Sequence, residues 1–219
     1  MEDIEAIAVL QDPVRRRLYE YVVAQDHEVS RNEAAEGAGV QRTLAAFHLD
    51  KLVDAGLLVT ESRRLTGRSG PGAGRPAKLY RRSGGERHVS VPARDYRTAA
   101  DLLAEVADRA RLDVELRAAA AREGRAVRAA AGPIEDLDAV RAVLSARGYV
   151  PRADADGVVL RLVNCPFHVL SERHPALICG MNLALLEGLI EGVEGLRAYM
   201  DPRPAMCCVA VADSKNNDH

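Results

Sequence analysis

The 219-residue chain has no tryptophan and only two phenylalanines, and aromatic residues make up 4% of it. Its core must therefore be built from aliphatic side chains. No run of about 18 apolar residues occurs, so nothing reads as a membrane-spanning helix. The acidic start MEDIEAIAVL lacks the basic segment that opens a secretory leader. A soluble, cytoplasmic protein is expected. Neither a nucleotide-binding glycine loop nor a nucleophile elbow is present, so the sequence offers no signature of an enzyme. There is no C-x-x-C pair. With 30 Lys and Arg against 32 Asp and Glu, the net charge is near zero, and any strongly positive surface must be local.

Such a surface is suggested between Val29 and Arg82. Ser30 followed three residues later by Glu33 is the reciprocal capping pattern of a helix start, and the segment from Arg31 stops at Gly37 to Gly39. From Val40, the residues Leu44, Phe47, Leu49, Leu52 and Val53 recur mostly three and four apart. That spacing predicts a second helix with one buried stripe, ending at Gly56. Two short helices about a glycine turn form the layout of a helix-turn-helix, whose second helix reads the major groove with its N-terminal residues. The exposed candidates are Gln41, Arg42 and Thr43, with His48 further along. Arg pairs with guanine, Gln with adenine, and Thr with a base or a phosphate.

The next thirty residues strengthen this reading. Leu57 to Leu65 and Lys78 to Arg82 are strand-like, and TGRSGPGAGRPA between them is too rich in glycine and proline to pack, so the segment forms a wing. From Ser62 to His88, eight basic residues face Glu86 alone, whereas residues 1 to 90 together balance fourteen basic with thirteen acidic. Arg63, Arg64, Arg68, Arg75 and Lys78 are the candidate phosphate or minor-groove contacts. Upstream, Asp12-Pro13 opens a helix running to about Ala24, with Arg15, Arg16 and Arg17 on its outer face.

After the wing, Arg94 to Glu123 reads as one long alanine-rich helix closed by Gly124. Ala99, Leu103, Val106 and Ala110 keep a four-three spacing suited to a helix-helix seam, which makes it a dimerisation helix. Paired half-sites on DNA require a two-fold protein, so a homodimer is expected. From Ile134 the pattern becomes a small α+β unit: a helix ending at Gly148, strands Tyr149 to Arg152 and Val158 to Val163, a helix Ala176 to Leu196 and a last strand Met206 to Ala212. The expected fold class is α+β. Its parts are a winged helix-turn-helix domain at residues 1–90, a linking and dimerisation helix at 91–130, and a cysteine-containing sensor domain at 131–219.

All four cysteines, Cys165, Cys179, Cys207 and Cys208, fall in the last part. A cytoplasmic protein keeps few structural disulfides, which leaves buried thiols, a redox switch or a metal or cluster site. Three separate elements carry Cys165, Cys179 and Cys207. Adjacent strand residues point to opposite faces, so Cys207 and Cys208 are not expected to share a ligand. His168 and His174 are further donors that suit zinc.

The segments LQDPVRRRLYEYV, VSRNEAAEGAGVQRTLAAFHLDKLVDAGLL, RRLTGRSGPGAGRPAKLY and NCPFHVLSERHPALICGMNLALLEGLIEG together resemble predicted ArsR-type winged-helix regulators of actinobacteria. More distantly they are similar to the SufR repressor of iron-sulfur cluster assembly operons. The resemblance covers nearly the whole chain. It implies a DNA-binding repressor whose operator affinity depends on an iron-sulfur cluster held by Cys165, Cys179 and Cys207, with zinc as the alternative metal. The gap of 27 residues between Cys179 and Cys207 fits that pattern, and the gap of 13 between Cys165 and Cys179 is one residue longer.

Overall fold

The computed structural model describes residues 2–25, 27–63, 76–204 and 206–213. It divides into two compact units, Met1–Arg94 and Asp95–His219. The second unit takes in most of the stretch expected to link two domains.

In the first unit, helix α1 (Glu2–Ala8) passes through a single tight turn into α2 (Pro13–Val23). Asp12 starts α2 as read from the sequence: its carboxylate accepts from the amides of Val14 and Arg15, and Pro13 needs no donor partner. Arg15 and Arg16 reach back to the carbonyls of Val9 and Leu10, fastening the turn. A short strand β1 (Val29–Ser30) leads into α3 (Arg31–Gly37), where the capping box of Ser30 and Glu33 is formed in both directions. Helix α4 (Arg42–Asp54) follows, then strands β2 (Leu58–Arg63) and β3 (Ala77–Arg82). The antiparallel sheet has the order β1-β3-β2. Leu18, Val22, Val29, Leu49, Leu52, Leu58 and Tyr80 form the centre of its core. Burial of each large aliphatic side chain contributes about 1.5–3 kcal/mol relative to leaving it in water.

Two expectations about this unit need correction. Only Gly39, at φ 65°, adopts the left-handed turn between α3 and α4. Gly37 is helical, and a Cβ there would lie 2.0 Å from the Tyr21 ring, so its role is close packing. The buried face of α4 is made by Ala45, His48, Leu49 and Leu52, while Leu44 and Phe47 are 42% and 56% exposed.

The second unit opens with α5 (Tyr96–Arg109) and α6 (Asp113–Ala131). The expected single helix is broken between them, because Arg111 takes a left-handed φ of 55° and the amide of Leu112 closes back on the carbonyl of Ala107. Nor does Gly124 end a helix. It lies within α6 where that helix crosses α9 (Pro175–Ile190), and a Cβ there would meet the Leu185 carbonyl at 2.1 Å. Gly188 answers it from α9, 2.2 Å from the Ala121 carbonyl by the same construction. The two backbones are therefore in direct contact, with a glycine on each side.

Between them in sequence come α7 (Leu137–Ala146), β4 (Pro151–Ala153), β5 (Val159–Leu162) and the short α8 (His168–Arg173); β6 (Leu196–Met200) and β7 (Val209–Asp213) follow α9. The four strands form an antiparallel sheet in the order β4-β5-β7-β6. Helix α9 buries residues from Leu177 to Ile190 on nearly every side and is the central post of the unit. It ends at Ile190 rather than Leu196, because Gly192 at φ 76° turns the chain into β6, a strand the sequence reading missed. Among the described residues no helix is long and apolar enough to cross a membrane.

Candidate nucleic-acid interface and thiol cluster

The exposed start of α4 holds the first group of candidate residues. Gln41 occupies the N-cap with extended backbone and makes no cap hydrogen bond through its side chain, which leaves the amide available to a ligand. Arg42 and Thr43 lie in the first turn, both exposed. His48 is corrected: it is only 6% exposed, on the inward face, with Nδ1 accepting from Nε of Arg15 at 3.3 Å. A buried ring held in that way is a core residue and does not reach a base edge.

Asp50, on the same helix, anchors the neighbouring elements. Its carboxylate accepts from Nζ of Lys78 at 2.7 Å, from the Tyr80 hydroxyl at 2.8 Å and from Nη2 of Arg31 at 3.1 Å. Nε of Arg31 in turn donates to the Tyr80 oxygen at 2.8 Å. Burial works to raise the Asp50 pKa, but the hydrogen bonds from Lys78 and Tyr80 and the charges of Lys78 and Arg31 hold it below the ordinary value. Burial pushes the Tyr80 hydroxyl up to about 12. One carboxylate thus ties α4 to α3 and to the wing strand β3, and Lys78 spends part of its charge inside the protein.

In the wing, β2 and β3 stay paired out to Arg63 opposite Ala77. Arg63 is exposed and pairs with Glu28 at 2.6 Å. Arg64, Arg68 and Arg75 lie outside the described residues.

The thiols form the second group. Cys165 lies in the loop after β5, Cys179 in α9, and Cys207 and Cys208 just before β7. The structure brings the four into one neighbourhood as two pairs: Cys165 and Cys207 share a hydrogen bond, Cys179 and Cys208 share another, and the charge of Cys207 also raises the Cys179 thiol. Cys207 and Cys208 each meet a different thiol, Cys165 and Cys179, and strand β7 begins only at Val209. The pair precedes it, with the Cys207 amide bonded to the Leu162 carbonyl and the Cys208 carbonyl to the Asp201 amide. All four cysteines are free thiols.

A buried polar chain supports Cys207. Asn182, 1% exposed on α9, donates to its sulfur at 3.2 Å and accepts from the Tyr149 hydroxyl at 2.6 Å. The Cys207 thiol is lowered to about 7 by the hydrogen bond from Cys165, against the effect of burial, with help from the Val209 amide and Asn182. The Cys165 thiol is raised by giving that bond and by burial. Burial and the bond with Cys208 push Cys179 up to about 12. Sequence reasoning missed Asn182 and Tyr149. The signal was there: an amide in the apolar run from Ala176 to Leu186 must find a buried partner.

His168 and His174 face carboxylates instead. His168 lies 3.3 Å from Glu172, and His174 sits between Asp101 and Asp108 at 3.7 and 3.8 Å. Among the described residues no group of three or more His, Cys, Asp or Glu side chains is set in metal-holding geometry; the thiols meet as two pairs.

No curated protein and no solved structure matches the chain. A helix-turn-helix domain family matches residues 10–61, the span from the turn before α2 into β2, and this unit is accordingly the DNA-binding part of a transcription regulator.

Proposed function

We propose that the chain is a homodimeric winged helix-turn-helix repressor whose affinity for operator DNA is set by an iron-sulfur cluster bound through Cys165, Cys179 and Cys207. The observation that supports the reading is the nearness of two thiol pairs, Cys165 with Cys207 and Cys179 with Cys208, drawn from three separate stretches of the unit that follows the DNA-binding domain. Soft, buried sulfur donors suit iron-sulfur clusters, and a hydrogen bond to a ligating sulfur, such as Asn182 gives Cys207, is a usual means of tuning one. Cys208 adds a fourth thiol within reach.

A cluster there would be held by Cys165, Cys179 and Cys207 as thiolates, with the Asn182 amide donating to the Cys207 sulfur. Bound, it would supply redox-sensitive iron-sulfur chemistry to the unit that holds Cys165, Cys179 and Cys207. DNA affinity would follow the state of these thiols, with the change carried to the spacing of the two recognition helices in the dimer. The dimer seam is the row Ala99, Leu103 and Val106 on α5 with Ala110 at its C-cap, all exposed, with Leu103 71% exposed.

The pairing of the thiols favours a second reading, a dithiol switch without a cluster. Hydrogen peroxide would oxidise Cys165 and Cys207 to a disulfide, taking two electrons and two protons and leaving as two waters. Zinc held by the thiols is the third possibility, with His168 and His174 engaged elsewhere. An anaerobic visible spectrum with iron, sulfide and zinc analysis separates these readings. Brown protein with iron and sulfide supports the cluster, and colourless protein with zinc or no metal overturns it.

A further inference from the structure

We propose that Phe47 reads the C5-methyl group of a thymine in the major groove. This rests on the reading of α4 as the recognition helix and adds to it a residue and a base.

The buried positions Ala45, His48, Leu49 and Leu52 fix which way α4 faces. At about 100° per residue, the opposite line of the helix runs through Thr43, Phe47, Asp50 and Asp54. Asp50 is occupied by Arg31, Lys78 and Tyr80. Phe47 therefore stands at the middle of the outward face, one turn beyond Thr43, and is 56% exposed. Its ring takes no part in the core of the unit. It rests edge-on against His48, with centroids 5.3 Å apart and planes at 71°, and His48 is itself held by Arg15. A buried ring thus braces the base of an aromatic side chain whose far side is presented outward. Leu44, beside it, is also exposed.

The floor of the major groove offers one apolar feature, the methyl of thymine, and Phe is among the side chains that meet it. Cytosine carries hydrogen at that carbon, so a ring packed there distinguishes T·A from C·G. Arg42 and Thr43, in the first turn, supply the polar contacts on neighbouring base pairs.

The test begins with full-length protein selecting duplexes from a random-sequence pool. The selected site is then resynthesised with deoxyuridine in place of each thymine in turn, which removes only the methyl. One thymine per half-site is expected to show about a fourfold loss of affinity for the wild type, the factor for one methyl-sized group removed from apolar contact. Phe47→Ala should be insensitive to that same change and should retain salt-dependent binding to an unrelated duplex, while Phe47→Leu keeps part of the discrimination. Equal tolerance of deoxyuridine at every position by wild type overturns the inference and leaves the DNA-binding reading intact. So does a Phe47→Ala protein that changes oligomeric state without changing site preference, since the ring would then belong to a contact between chains. Failure of the wild type to bind any duplex overturns the underlying reading, and this one with it.

Discussion

The Asp50 carboxylate lies 2.7 Å from the Lys78 ammonium, so a residue of the recognition helix partly neutralises a cation of the wing. The contact has two consequences that can be separated by experiment. Asp50→Asn removes a charged acceptor from three donors and is expected to lower stability by about 1 kcal/mol at pH 7, a modest figure because the group is partly exposed. The folded pKa is depressed, so the contribution is complete above the unfolded carboxylate value of about 4 and disappears as pH falls through the lower folded one. Urea midpoints of wild type and variant should converge below pH 4; an equal gap at pH 7 and pH 2.5 contradicts the assignment. The same substitution frees Lys78 for phosphate, and non-specific DNA binding should tighten, with the salt slope steeper by about one ion.

Gly124 and Gly188 predict a different kind of failure. Alanine favours a helix over glycine by about 1 kcal/mol, yet at either position its Cβ would meet a backbone carbonyl near 2 Å, at 2.1 Å from Leu185 or 2.2 Å from Ala121. Gly188→Ala should therefore lose about 1–3 kcal/mol through forced separation of α6 and α9. A thermal melt showing an unchanged or raised midpoint would mean that the helices are not in contact.

How much of this was legible in sequence depended on whether the signal was local. Asp12-Pro13 and the Ser30–Glu33 box marked helix starts correctly because caps act within four residues. The face of α4 was misread because Leu44 and Phe47 share the spacing of Ala45 and His48, and the larger, more apolar pair looked like core. Only the fold shows that a histidine and an alanine are inside. The last strand was expected from Met206, three residues too early, since β7 starts at Val209, after Cys207 and Cys208. The convergence of the thiols depends on long-range sheet pairing, which no spacing encodes. Gly124 looked like a helix stop because a glycine's need for close approach cannot be told from its need for a turn without the partner helix.

The exposed apolar row on α5 predicts the oligomeric state. Replacing Leu103 and Val106 together with glutamate should leave the fold intact, because the buried contact of this helix runs through Ala104 on another side. The variant should sediment as a monomer where wild type is a dimer. Its affinity for a paired site should fall by about a hundredfold, the lower range of what linked binding provides. A variant that remains dimeric places the seam elsewhere.

The thiol cluster and the DNA-binding helix are joined in one account by a single expectation, that DNA affinity follows the state of the sulfurs. The most direct measurement is the affinity of anaerobically purified wild type for its selected duplex, at one fixed salt concentration, beside that of the Cys165→Ser, Cys179→Ser and Cys207→Ser proteins. Weaker binding by each variant, by about tenfold and with an unchanged circular dichroism spectrum, is the predicted result, in the range of ordinary coupling between sites. Affinities equal to that of wild type for all three variants would contradict it.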